Sequence, residues 1–218
     1  MQLRSLFLPF ASTSRRDLAD RLVQLLIGLF LYGVALGLMV RGGIGVAPWD
    51  VLALGVAGNS GIGYGAVTVL VSIVVLLLWI PLRQRVGIGT LLNALLVGPS
   101  ADIALLVIPA PPSVWIGAPM FVGGLLLLAF ATGLYISADF GPGPRDGLMT
   151  GLVRRTGWPV WLVRTLIEGG VLLIGFLLGG PVGVGTVLFA FGVGPLIGWF
   201  LPWTTRMRAM RSGRLARV

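Results

Sequence analysis

Along the chain, long apolar runs alternate with short clusters of glycine, proline and arginine. Six runs, at approximately 21–40, 63–82, 87–109, 117–137, 159–179 and 184–203, each approach the ~20 residues that carry a helix across a hydrocarbon core. The connectors hold breaker chemistry: Arg-Gln-Arg at 83–85, Pro109-Ala110-Pro111-Pro112, and Gly179-Gly180-Pro181. Two connectors are longer. One runs Gly45-Val46-Ala47-Pro48-Trp49-Asp50 and the other Gly141-Pro142-Gly143-Pro144-Arg145-Asp146. Proline at a first helical position, with an acid two residues on at the positive end of the dipole, predicts a helix start in each. From Pro48 to Gly58 and from Pro144 to Arg154 these helices run about eleven residues, too short to span and of re-entrant or interfacial length.

Self-comparison organises the six spans. At an offset of 96, Gly37-Leu38 meets Gly133-Leu134, Pro48 meets Pro144, Asp50 meets Asp146, Gly89-Thr90 meets Gly185-Thr186, and Val97-Gly98-Pro99 meets Val193-Gly194-Pro195. The register holds without a gap from 37–105 against 133–201, as a duplication requires. Each half, 21–116 and 117–212, contains three spans, and an odd number makes the second half enter from the opposite face. The expected fold is therefore all-α and polytopic: two inverted three-helix repeats, each with one short re-entrant or interfacial helix. A segment 1–20 precedes the repeats and a basic tail 213–218 follows them.

Composition agrees with the pattern and removes several chemistries. The 218 residues are 56% hydrophobic and 11% charged, with mean hydropathy +0.99, whereas a soluble domain carries roughly 25% charge. With no Cys and no His, thiolate nucleophiles, His-based triads and Cys or imidazole metal sites are excluded. No Lys is present, so the phosphate loop of a Walker-type ATPase is excluded too. No enzyme activity, cofactor or metal is expected.

All 16 basic residues are Arg, against seven acids. Placing the N-terminus in the cytoplasm puts 14 of the 16, Arg145 among them, on the inner side, a positive-inside bias that orients both termini inward. The expected setting is the plasma membrane of a bacterium. Anionic lipid headgroups are the expected partners of the basic segments, and nucleic acid is not. The apolar patch Leu6–Phe10 is too short for a signal-peptide core, so no cleavable signal is expected.

Few residues can carry chemistry. Asp50 and Asp146 either support their own helix starts or converge at mid-membrane beside exposed helix amides. Arg164 and Glu168, four apart on the fifth span, replace Thr68 and Ser72 of the first half. Either a structural ion pair or a substrate or proton site accounts for them. Asp102, beside Pro99-Ser100, is a further candidate or an outer-interface residue. Pro99 and Pro195, within the third and sixth spans, free a backbone carbonyl each or only shape packing.

The pattern around Gly45, Pro48 and Asp50, its echo at Gly141, Pro144 and Asp146, and Gly-x-Gly-Thr at 87–90 and 183–186 resemble the bacterial YczE/YyaS/YitT family of membrane proteins, the YczE branch above all. That resemblance implies a multi-pass plasma-membrane protein, and for YczE-like members an association with nonribosomal lipopeptide production. Two functions fit these residues. The first is an ion-coupled or facilitative secondary transporter of a small solute, rocking about Asp50, Asp146 and Glu168. The second is an accessory scaffold for a biosynthetic or export complex, with a homo-oligomer or a membrane partner.

Overall fold

The computed structural model describes residues 15–211. The segment Met1–Ser14, part of the expected 1–20 unit, and the tail 213–218 lie outside them. Among the described residues there are eight helices and no strand: α1 (Arg15–Gly42), α2 (Pro48–Ser60), α3 (Tyr64–Leu82), α4 (Ile88–Val107), α5 (Val114–Ser137), α6 (Pro144–Thr156), α7 (Val160–Leu177) and α8 (Val184–Arg211). Six of these, α1, α3, α4, α5, α7 and α8, are long and apolar enough to cross a membrane. Their outward faces are lined with exposed Leu, Ile, Val, Phe and Trp, a surface suited to lipid and not to water. Trp115, Trp158, Trp161, Trp199 and Trp203 are all exposed, as interfacial tryptophans are.

The spans begin and end close to the expected runs, except that α1 starts earlier, at Arg15, and α8 continues to Arg211. The short helices are 13 residues each. Both start with Pro at the first turn after an extended residue, carry an acid in that turn, and stop at a left-handed glycine, Gly61 at φ 70° and Gly157 at φ 72°. A left-handed C-terminal glycine terminates a helix at no steric cost.

Close glycine contacts set the core. Gly28 meets Leu134 and Tyr135, Gly124 meets Ala35 and Met39, and Gly42 meets Gly117 and Phe121, so α1 and α5 run antiparallel. Gly33 and Gly37 seat on Val97–Ala104 of α4, and Gly133 seats on Phe200 and Thr204 of α8. α4 runs with α1, and α8 with α5. Without a hydrophobic drive between helices in lipid, small residues of this kind permit the close dispersion contact that holds spans together.

Contacts of one half recur in the other. The Gly89 N–H donates to the Phe140 carbonyl at 2.9 Å, and the Gly185 N–H donates to the Ile44 carbonyl at 2.7 Å. Thr90 Oγ1 accepts from the Gly87 N–H and Thr186 Oγ1 from the Gly183 N–H, both at 3.3 Å. The partner segments bend at Gly45 and Gly141, each at φ 114°, a conformation only glycine adopts without strain. Gly-x-Gly-Thr is thus a clamp on the extended entry to the other half's short helix.

One pairing does not recur. α3 packs along α4, with Gly65 against Gly98. Their counterparts on α7 and α8 stand apart: a Cβ at Gly194 or Gly198 would meet nothing within 4 Å.

Candidate functional site

The starts of α2 and α6 face each other inside the bundle. Asp50 is 1% exposed, and its Oδ1 accepts the Tyr64 hydroxyl at 3.0 Å. An Arg145 guanidinium nitrogen lies 3.8 Å from the same oxygen, and the guanidinium stacks over the Trp49 ring at 5.0 Å. Arg145 therefore joins one short helix to the other. Its side chain is 23% exposed and paired with a buried acid. In the chain it precedes Asp146 directly, where the first half has Trp49.

Asp146 has its own phenol partner, the Tyr135 hydroxyl donating to Oδ2 at 2.8 Å. Tyr135 in turn meets the Tyr32 ring edge to face, with centroids 6.2 Å apart. All three tyrosines of the chain are thus gathered at the acids. Both short helices lie outside the six spans. Burial raises the Asp50 carboxyl above its usual range, and Arg145 and the Tyr64 hydroxyl oppose the rise. Burial likewise raises Asp146, opposed first by the Tyr135 hydrogen bond and then by Arg145 and Arg164.

Beside Asp146 is a cavity of about 50 Å³ lined by Tyr32, Thr68, Ser72, Asn93, Val97, Tyr135 and the Gly143–Asp146 segment. Thr68 and Ser72 turn their hydroxyls back on α3, donating to the Tyr64 and Thr68 carbonyls at 3.0 and 2.9 Å. Gly147 lies flat on Trp79, where any Cβ would collide with the indole. The Trp79 Nε1–H donates to the Pro144 carbonyl at 3.0 Å and fixes the start of α6.

The remaining candidates fall at different distances from this centre. Arg164 Nε donates to Glu168 Oε1 at 2.8 Å, an i,i+4 pair whose side chains are 40% and 23% exposed. Among the causes that act on the Asp146 carboxyl, the Arg164 charge is a minor one that lowers it. Asp102 is elsewhere: its Oδ1 accepts the Gly65 N–H at 2.8 Å and caps α3. Pro99 and Pro195 lie within α4 and α8 on exposed faces, away from the cavity. Pro48, Pro144, Gly45 and Gly141 shape the entries to α2 and α6.

The sequence reading missed Tyr32, Tyr64, Asn93, Tyr135 and the inward role of Arg145. Polar side chains inside apolar runs are the signal that marks them, because each is costly in a span unless it has work or a partner there. Among the described residues no group of three or more acids is placed to hold a metal ion.

Six apolar spans enclosing a buried, charged centre define a polytopic helical membrane protein. Residues 19–202 match the model of DUF6198, described as a family of unknown function, and the chain belongs to that family. It is 41% identical over 184 residues, 84% of each chain, to an uncharacterised protein of Haemophilus influenzae. It is 29% identical over 195 residues to the uncharacterised membrane protein YczE of Bacillus subtilis, covering 88% of this chain and 91% of that one. To the uncharacterised YyaS of the same organism it is 27% identical over 189 residues, 83% of this chain and 92% of that one. No solved structure matches the chain.

Proposed function

We propose that the protein is a secondary transporter of a small metabolite, ion-coupled or facilitative, in a bacterial plasma membrane with both termini in the cytoplasm. Its two halves, 21–116 and 117–212, are read as inverted repeats. The antiparallel course of α1 against α5 and the paired clamps at Gly89 and Gly185 support that reading. Inverted repeats place solute sites between the halves, at the ends of short or broken helices.

The observation that carries the proposal is the contact between Arg145 of α6 and Asp50 of α2, beside a polar cavity and inside an apolar shell. Charges in such a place are expensive, and their usual reason is a solute or ion path. Asp50, Asp146 and Glu168 outnumber Arg145 and Arg164 there by one, which leaves a deficit that a proton or cation fills. The separation of α7 from α8 beside a closed α3–α4 pair supports rocking, since two states that exchange between halves look like this at any one moment.

The test is flux. In proteoliposomes loaded with a pH-sensitive dye and offered a panel of small carboxylates, amines and zwitterions, the wild-type chain is expected to give solute-dependent uptake or proton movement. Asp50→Asn and Asp146→Asn, still monodisperse, are expected to lower it at least tenfold. No flux with any solute, together with a stably co-purifying partner, would replace transport by the scaffold role.

A further inference from the structure

Three side chains that line the cavity beside Asp146, those of Arg145, Asn93 and Tyr32, have donors to spare. Among the described residues the Arg145 side chain makes no hydrogen bond: its one carboxylate neighbour, Asp50 Oδ1, is at 3.8 Å, beyond hydrogen-bond range. Its guanidinium presents five N–H groups in a rigid fork. The side chains of Asn93 and Tyr32, both lining the same cavity, likewise have no hydrogen-bond partner among the described residues. Asp146 is partly committed, with Oδ2 held by Tyr135 and the Gly143 backbone close by, while its carboxylate still lines the cavity. These half-buried groups open onto the cavity, where a ligand or water completes their hydrogen bonds.

We infer that this cavity is a binding site for a small zwitterion, a carboxylate that also carries an ammonium group. The carboxylate would be held by Arg145, Asn93 and Tyr32, and the ammonium by Asp146. Charge decides between this class and its neighbours. A plain carboxylate satisfies Arg145 but meets Asp146 and Asp50 as like charges, and a plain amine satisfies Asp146 but faces the Arg145 guanidinium. A zwitterion matches both signs and brings no net charge into an apolar shell, where net charge is most costly.

Size narrows the class further. The cavity offers about 50 Å³ to the centres of water-sized groups. At roughly 10–15 Å³ for each such group, three to five fit. That is the scale of glycine, so a branched or aromatic side chain is expected to fit less well. Thr68 and Ser72 do not compete for the carboxylate, because their O–H donors are already spent on α3 carbonyls, and their oxygens are left to accept from the ammonium.

The proposal deepens the transport reading and rests on its site, not on movement across the membrane. The test is equilibrium binding of tritiated glycine to the full chain in lipid nanodiscs, with unlabelled acetate, methylamine and leucine as competitors. Glycine is expected to bind saturably, with acetate, methylamine and leucine each needing at least tenfold higher concentration to displace it. Arg145→Gln and Asn93→Leu, the second filling the cavity without touching the Asp50 contact, are each expected to weaken glycine at least tenfold. Arg145→Lys, which keeps the charge and loses the fork, is expected to fall between.

Acetate binding as tightly as glycine would overturn the proposal in favour of an anion site. Methylamine doing so would favour a cation site. Absence of glycine binding, or glycine binding unchanged in Asn93→Leu, would overturn it outright. Should Arg145→Gln fail to fold, Asn93→Leu decides alone. Glycine binding without flux would remove the transport reading and leave the site standing. Flux of another solute without glycine binding would do the reverse.

Discussion

Asp50 and Asp146 occupy equivalent positions but are held differently. Asp50 is sealed with Tyr64 and Arg145 as its partners, whereas Asp146 lines the cavity with one oxygen on Tyr135. The two tyrosines have no counterpart in the other half: Tyr64 aligns with Val160 and Tyr135 with Met39. Asp50→Leu leaves a cation without its buried partner and is expected to destabilise the fold by about 3–5 kcal/mol. Tyr64→Phe removes one hydrogen bond to the carboxylate and is expected to cost about 1–3 kcal/mol. Thermal unfolding of the two variants in the same detergent checks the order, and equal losses would contradict it. The acids were legible as candidates because they repeat. Arg145 was not, because from its place in the chain it is one more arginine in a connector.

At the scale of elements, the clamps explain why glycine and threonine recur at 87–90 and 183–186. Each clamp holds the strand-like entry to the short helix of the opposite half. Thr90 also donates to the Pro142 carbonyl at 2.7 Å. Valine has nearly the shape of threonine but cannot accept or donate. Thr90→Val and Thr186→Val are each expected to cost about 0.5–1.5 kcal/mol, with Thr90 the larger loss because it makes two bonds. The double variant is expected to be additive within about 0.5 kcal/mol, since the two clamps share no partner. A melting series of the three variants measures both claims. The short helices themselves were legible to within a few residues, because proline, acid and left-handed glycine act locally. Which helix each one packs against was not, because Gly147 on Trp79 and Gly55 on Gly175 are contacts between residues far apart in the chain.

For the whole molecule, the apolar runs by themselves determined six spans, since the length of a helix in hydrocarbon is fixed by bilayer thickness and every backbone group must be satisfied within it. The offset of 96 supplied the proposed inverted arrangement, and it makes a topological prediction. Single cysteines at Ser60, the end of α2, and at Arg154, near the end of α6, are expected to label from opposite faces in a chain that otherwise has no Cys. Labelling from the same face would reject the inversion. What only the tertiary structure decided is where the halves differ. It brings Tyr32, Asn93, Tyr135 and Arg145 around Asp146, closes α3 on α4, and leaves α7 apart from α8. Hydrophobic periodicity and repeats report what a residue prefers as solvent. They carry no information on which distant polar groups meet once six such helices are packed, and the candidate site is made of those meetings.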